Sequence, residues 1–255
     1  MKEIYFAYFD LLGFKEFILN NNNDYIQQRM AHFFRDVEMS LVGNQTKKHP
    51  NIPIADVADI DKAKINCINI SDTVLYWTND TSLESLNELF MVSYLFNWRF
   101  NLFNFPVRGC LTKGSLNHAM GEMISRNSSV YAVQCPYGKV MVDAHTKAEA
   151  QNWAGTVIDR PIVNDLSGTS WESILDEYCS KYRVPYKKSA TNSGDIGYDE
   201  YVFRLAKGLN NQVALDRAKN DIATVFAQDN KSVSDPGVQK KIENTQKYLE
   251  SLKEF

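Results

Sequence analysis

The sequence predicts an α+β fold, a ferredoxin-like βαββαβ sheet rich in antiparallel pairs with helices packed on one face. Three observations carry this. Runs rich in β-branched and aromatic residues alternate with segments of helical apolar spacing. Two such runs flank Ser71-Asp72 in KINCINISDTVLYW and read as a tight hairpin. The resulting order, βαββαβ followed by a further helix and strand, belongs to a split βαβ sheet.

The first strand spans about Ile4 to Asp10, and Gly13 follows it. Phe17, Ile18, Ile26, Met30, Phe33, Phe34 and Val37 recur at helical spacing, while Asn20 to Asp24 is a poor helix interior and breaks that helix. Asn44 to Lys64, with Pro50 and Pro53, reads as loop. Thr81 with Glu84 forms a capping box for a helix from Leu83 to Phe105. Its second half is apolar nearly all round, so it needs cover on two sides: the sheet, and either a partner subunit or a second layer of this chain. A strand follows Pro106, then an irregular insert from Asn117 to Pro136, a helix from Tyr137 to Asn152 and a strand from Trp153 to Asp159. Ser170 to Tyr182 reads as helix, Gly197 to Leu205 as strand and Pro236 to Lys253 as a long helix. Residues 1–165 form the core domain, and residues 166–255 an extension packed on it.

Composition narrows the function classes. Of 255 residues, 44% are hydrophobic and 23% charged, as in an ordinary soluble protein. A formal net charge of −3 gives no general basic excess for nucleic acid. Cys67, Cys110, Cys135 and Cys179 are widely spaced without a CxxC pair, which argues against zinc and for reduced thiols in a cytoplasmic protein. No secretory-type leader is expected. The apolar stretch from Leu89 to Phe105 is broken by Asn97, Arg99, Asn101 and Asn104, so no membrane span is expected. The four histidines share no ligand spacing.

Asp10 and Asp72 each sit at the end of a run that reads as core strand. A carboxylate there is costly unless paired. If the first strand lies beside the hairpin, both emerge at one sheet edge, where a shared hard cation relieves their repulsion. Two such ions can clamp the attacking and leaving oxygens of a phosphoryl transfer, with the Leu11 carbonyl as a further ligand. The alternative for Asp72 is a plain turn former. Arg108 and Lys113 suit either triphosphate oxygens or a solvated strand edge. Tyr8 and Phe9 suit a base-stacking role or the core. Lys139, near a helix start, suits phosphate or solvent.

In order, FDLLGF, ISDTVLYW, VRGCLTKG and a helix beginning near YGKVMVDAHTKAEA resemble the catalytic domain of class III nucleotide cyclases, over about residues 3–159. More narrowly, the chain resembles the stand-alone pyrimidine cyclases of the bacterial Pycsar anti-phage system. The resemblance implies that a nucleoside triphosphate loses diphosphate as its 3′-hydroxyl attacks the α-phosphate. It implies two Mn²⁺ or Mg²⁺ ions per site on Asp10 and Asp72, and a head-to-tail homodimer with sites at the interface. It also implies a separate effector protein activated by the cyclic product. Purine cyclases usually carry Asn and Arg four apart in the helix after the insert, and the nearest match here for that substrate-binding pair is Asp143 and Lys147. With no match for the adenine-reading Lys and Asp, a pyrimidine is favoured, UTP ahead of CTP. An adenylate or guanylate cyclase, and a degenerate nucleotide-binding module, are the alternatives.

Overall fold

The computed structural model describes residues 2–187 and 199–253. One sheet runs through the molecule in the order β4-β5-β1-β6-β8-β10-β9. Its strands are β1 (Lys2–Leu11), β4 (Asn66–Ile70), β5 (Thr73–Trp77), β6 (Val107–Ile124), β8 (Thr156–Ile158), β9 (Cys179–Tyr182) and β10 (Glu200–Phe203). Among the described residues only the β6–β8 pairing of this sheet is parallel. The far half of β6 pairs with β7 (Val130–Tyr137) as a long hairpin. A small separate hairpin joins β2 (Thr46–His49) and β3 (Ile52–Ala58).

The alternation of β1 sorts its side chains into two cores. Tyr5, Ala7, Phe9 and Leu11 face one layer, built on α2 (Asn23–Leu41) and α3 (Leu83–Phe103). Ile4, Phe6 and Tyr8 face the other, against Val140, Ala144 and Ala148 of α4 (Lys139–Ala150). The α+β class and the antiparallel-rich sheet are as expected, but helices cover both faces, not one. The small residues of α4 allow its close approach to the sheet.

The polar breaks in α3 have an internal purpose. Asn97 accepts from Thr156 Oγ1 at 2.8 Å and from Asn101 Nδ2 at 3.1 Å, and Asn101 in turn accepts the Val107 amide at 2.8 Å. A buried amide network thus fixes how α3 hands the chain to β6. The outer side of α3 is covered within this chain, by α2, by α6 (Ser173–Tyr178) and by α7 (Gln212–Ala227). No partner subunit is needed there.

Four other local readings change. The cap of α3 is Ser82, which accepts the Ser85 amide, rather than Thr81. The insert at Asn117–Pro136 is the β6–β7 hairpin, and the Asn44–Lys64 loop contains β2 and β3. Ser170–Tyr182 divides into α6 and β9. The break at Asn20–Asp24 is real: α1 (Phe14–Asn20) stops and Asn22 caps α2 through the Tyr25 amide. Of the strand expected at Gly197–Leu205, residues 197 and 198 lie outside the described residues. Beyond β8 come α5 (Arg160–Leu166), α6, β9, β10, α7 and α8 (Pro236–Ser251). Strands β9 and β10 continue the same sheet, so the C-terminal third is part of the layer that carries the first strand.

Candidate active site

The site forms where β1 ends. Asp10 lies opposite Thr73 of β5 on one side and Arg108 of β6 on the other. The Leu11 amide donates to the Asp72 carbonyl at 2.8 Å, which ties the hairpin tip to the end of β1. The tip is a tight turn in which Ser71 adopts a φ of 56°. Asp10 and Asp72 therefore meet at one sheet edge.

Arg108 Nε donates to Asp10 Oδ2 at 2.7 Å, and its Nη1 donates to the Glu149 carbonyl. Burial raises the Asp10 carboxyl above the ordinary range, Arg108 works against this, and the nearby Asp72 charge adds to it. Among the described residues the Asp72 carboxylate makes no hydrogen bond, and Asp10 Oδ1 makes none. No group of three or more His, Cys, Asp or Glu ligands occurs among the described residues. The donor set is thus two carboxylates with free oxygens. It fits an ion that takes one or two protein carboxylates and completes its shell with water and substrate phosphate, as Mg²⁺ does.

The RxG spacing has a steric cause. A Cβ on Gly109 would stand 2.7 Å from Phe9 Cδ1 and 2.8 Å from the Tyr8 carbonyl, so only glycine lets β6 lie against β1 beside Arg108. On the same face as Asp10, Tyr8 is hydrogen-bonded to His145 Nδ1 at 3.0 Å. Burial, above all, raises the Tyr8 hydroxyl above its usual range.

The other expected residues divide. Phe9 is fully buried and packs tilted on Phe96, with ring centres 4.6 Å apart, so its ring is core and not available to a base. Lys113 is five residues along β6 from Arg108 and on the opposite face; it binds Asp165 Oδ2 at 2.8 Å, away from Asp10. Lys147 turns inward, 2.7 Å from both Asp159 Oδ1 and Glu200 Oε1. Burial works against its charge, and the surrounding groups outweigh that and hold the ammonium above the ordinary lysine range. Asp143 and Lys139 are exposed.

Cations that the motif order did not reveal come from the C-terminal third. Burial, then the proximity of Arg108, lowers the ammonium groups of both Lys187 and Lys241. Lys241, Lys231, Leu12 and Gly13 line a pocket of ≈ 90 Å³ next to the end of β1. Lys231 Nζ is buried without a hydrogen-bond acceptor, 4.8 Å from the centre of the Phe105 ring, and burial lowers it to about 8. Its aliphatic stem crosses Gly13, where a Cβ would stand 2.9 Å from Lys231 Cδ. Gly13 has a φ of 80°, so glycine is required there twice over. These lysines have no sequence signature; lone lysines in a polar stretch read as solvated.

No protein-family model and no curated protein matches the chain in sequence. Solved structures match it in fold. The guanylate cyclase domain of RhGC from Catenaria anguillulae, in complex with GTP, superposes with a TM-score of 0.50 at 9% identity, covering 81% of this chain and 98% of that one. The fold is that of a nucleotide cyclase catalytic domain. The catalytic core of a rhodopsin-guanylyl cyclase with converted specificity, in complex with ATPαS, also superposes with a TM-score of 0.50 at 9% identity, covering 79% and 95%. No helix of the described residues is long and apolar enough to cross a membrane.

Proposed function

We propose that the chain is a metal-dependent nucleotide cyclase. The observation that carries the reading is the meeting of Asp10 and Asp72 at the end of β1, in a sheet that superposes on cyclase domains. In this reading a nucleoside triphosphate is the substrate, its 3′-oxygen bonds to the α-phosphorus, and diphosphate leaves. Bound Mn²⁺ or Mg²⁺, two per site, would neutralise phosphate charge and acidify the 3′-hydroxyl. Asp10 Oδ1 and Asp72 would hold the ions, with the Leu11 carbonyl as a further ligand. Arg108, held by the Glu149 carbonyl, offers its remaining donors to phosphate oxygens. Lys187, Lys231 and Lys241 add positive potential where a triphosphate chain would lie.

The choice of base rests on the motif resemblance. Lys147 is committed to Asp159 and Glu200, and α4 presents Asp143 to solvent where purine cyclases present an amide. In purine cyclases those two positions meet ribose and phosphate, so they do not choose the base; the missing match for the adenine-reading Lys and Asp pair is what supports a pyrimidine, UTP ahead of CTP. The solved relatives hold GTP and ATPαS, which keeps a purine cyclase as the second reading. Incubation of the protein with Mn²⁺ and each ribonucleoside triphosphate, with products identified by mass spectrometry, tests this. A cyclic pyrimidine nucleotide is the expected product; a cyclic purine nucleotide supports the second reading, and no cyclic product from any of the four refutes cyclase activity.

The proposed assembly is a homodimer. The β6–β7 hairpin carries Met120, Met123, Ile124, Val130 and Tyr131, each more than 60% exposed and spread over both faces of the ribbon, and exposed apolar side chains gathered on one arm suit burial against a second copy. We further propose that the cyclic product signals to a separate effector protein in anti-phage defence, as the motif resemblance implies.

A further inference from the structure

Between α2 and α3, in the layer opposite the Asp10 carboxylate, lies a second polar pocket of ≈ 320 Å³. Its charges are unbalanced. Arg29 is engaged with Asp229, by two bonds of 2.9 and 3.0 Å. Arg35 and Arg99 share a single carboxylate, Asp36, at 3.6 and 3.7 Å, both too long for hydrogen bonds. Asp36 is itself engaged by Asn104 Nδ2 at 2.9 Å. Arg99 Nε is buried without an acceptor, although Nη2 of the same group reaches Asn44. A buried donor left unmade is costly unless a ligand supplies the acceptor. His32 adds a further donor to the rim.

The apolar side of the pocket is aromatic. Trp98 and Phe103 meet edge to face with centres 5.4 Å apart, and Phe103 is 55% exposed at the end of α3. The exposed Phe103 beside the half-buried Trp98 gives a flat ligand ring a surface to stack on. Guanidinium groups with free donors match phosphate oxygens in geometry and charge. A phosphorylated aromatic uses both halves at once.

We propose that this pocket binds a nucleotide, with Arg35 and Arg99 on its phosphates and Trp98 and Phe103 on its base, as a site separate from that at Asp10. The site needs no metal and no turnover.

The test uses the full chain carrying Asp10→Ala, in EDTA, so that metal-dependent binding at the first site is removed. UTP, ATP and inorganic triphosphate are titrated by calorimetry. Saturable nucleotide binding is expected. Arg35→Glu, at a side chain 64% exposed and so neutral for folding, weakens nucleotide and triphosphate alike by about tenfold or more. Phe103→Ser weakens the nucleotides but not inorganic triphosphate. Trp98→Ala does the same, and thermal melting separates loss of contact from loss of fold. Absence of saturable binding at millimolar nucleotide, or binding unaffected by Arg35→Glu, overturns the site. Equal affinity for nucleotide and inorganic triphosphate overturns the assignment of a nucleotide.

Discussion

Replacing Lys231 with Met should make the protein more stable at neutral pH. The ammonium of Lys231 is buried, its side chain 3% exposed, with no hydrogen-bond acceptor and its nearest carboxylate, Asp229, 4.0 Å away and already held by Arg29. Burial lowers its pKa from 10.5 to about 8. At about 1.4 kcal/mol per pH unit, that corresponds to about 3 kcal/mol against the charged form. The folded value lies below the unfolded one, so the unfolded chain binds the proton more tightly. The penalty is therefore complete below about pH 8 and fades as pH rises toward 10.5. Met keeps the volume and the contact with Phe105 and removes the charge. Urea titration at pH 7 should show Lys231→Met more stable by about 1–3 kcal/mol, because loss of the Phe105 contact with the cation offsets part of the gain. Between pH 8 and 10 the wild type should gain stability relative to the variant, and the difference should shrink. A variant less stable at pH 7, or a difference independent of pH, refutes the reasoning. Activity moves the opposite way: kcat/KM for the triphosphate should fall about tenfold, since a charge held at this cost lines the pocket beside Leu12 and Gly13.

Asp10→Ala and Asp72→Ala should each reduce cyclase turnover by at least about a thousandfold with circular dichroism unchanged; turnover within tenfold of wild type in either folded variant removes that residue from the site. Because Arg108 binds Asp10 of its own chain at 2.7 Å, mixing Arg108→Ala with Asp72→Ala homodimers should not restore activity after subunit exchange, measured as product per hour; recovery would place Arg108 across the interface. Met123→Glu together with Tyr131→Glu, on the exposed arm, should yield a monomer by light scattering, and an unchanged dimer would remove the arm from the interface.

The sequence disclosed most where local chemistry is self-contained. Asp10 stood out because a carboxylate among Phe9, Leu11 and Leu12 contradicts a buried strand, and the Ser71-Asp72 tip because its flanking runs are strongly β-forming. The core class followed from such alternation. Helices on both faces were not legible, since α4 buries only small residues, which carry little periodic signal. Phe9 and Tyr8 could not be separated until β1 was oriented, because neighbours in a strand point to opposite faces. Lys113 stayed open between phosphate and solvent, and Lys147 stood where purine cyclases carry Arg, because a sequence does not show that Asp165, Asp159 and Glu200 come to meet them. Lys231 and Lys241 were invisible for the converse reason: their importance arises from burial beside segments about 200 residues earlier.

The continuity of the sheet has a consequence for how the protein comes into being. Thr245 of α8 accepts the Ala154 amide at 2.9 Å, and Tyr248 donates to the Phe203 carbonyl at 3.0 Å, so the last helix staples strands laid down long before it. A chain emerging from the ribosome displays β1, β5 and β6 early, yet the β8 edge stays bare until β10 and α8 arrive. Half-made copies are therefore both silent and sticky. Shortening the chain to its motif-bearing first 165 residues should yield aggregate instead of a minimal enzyme, and a fusion partner placed after α8 will report on completed folding.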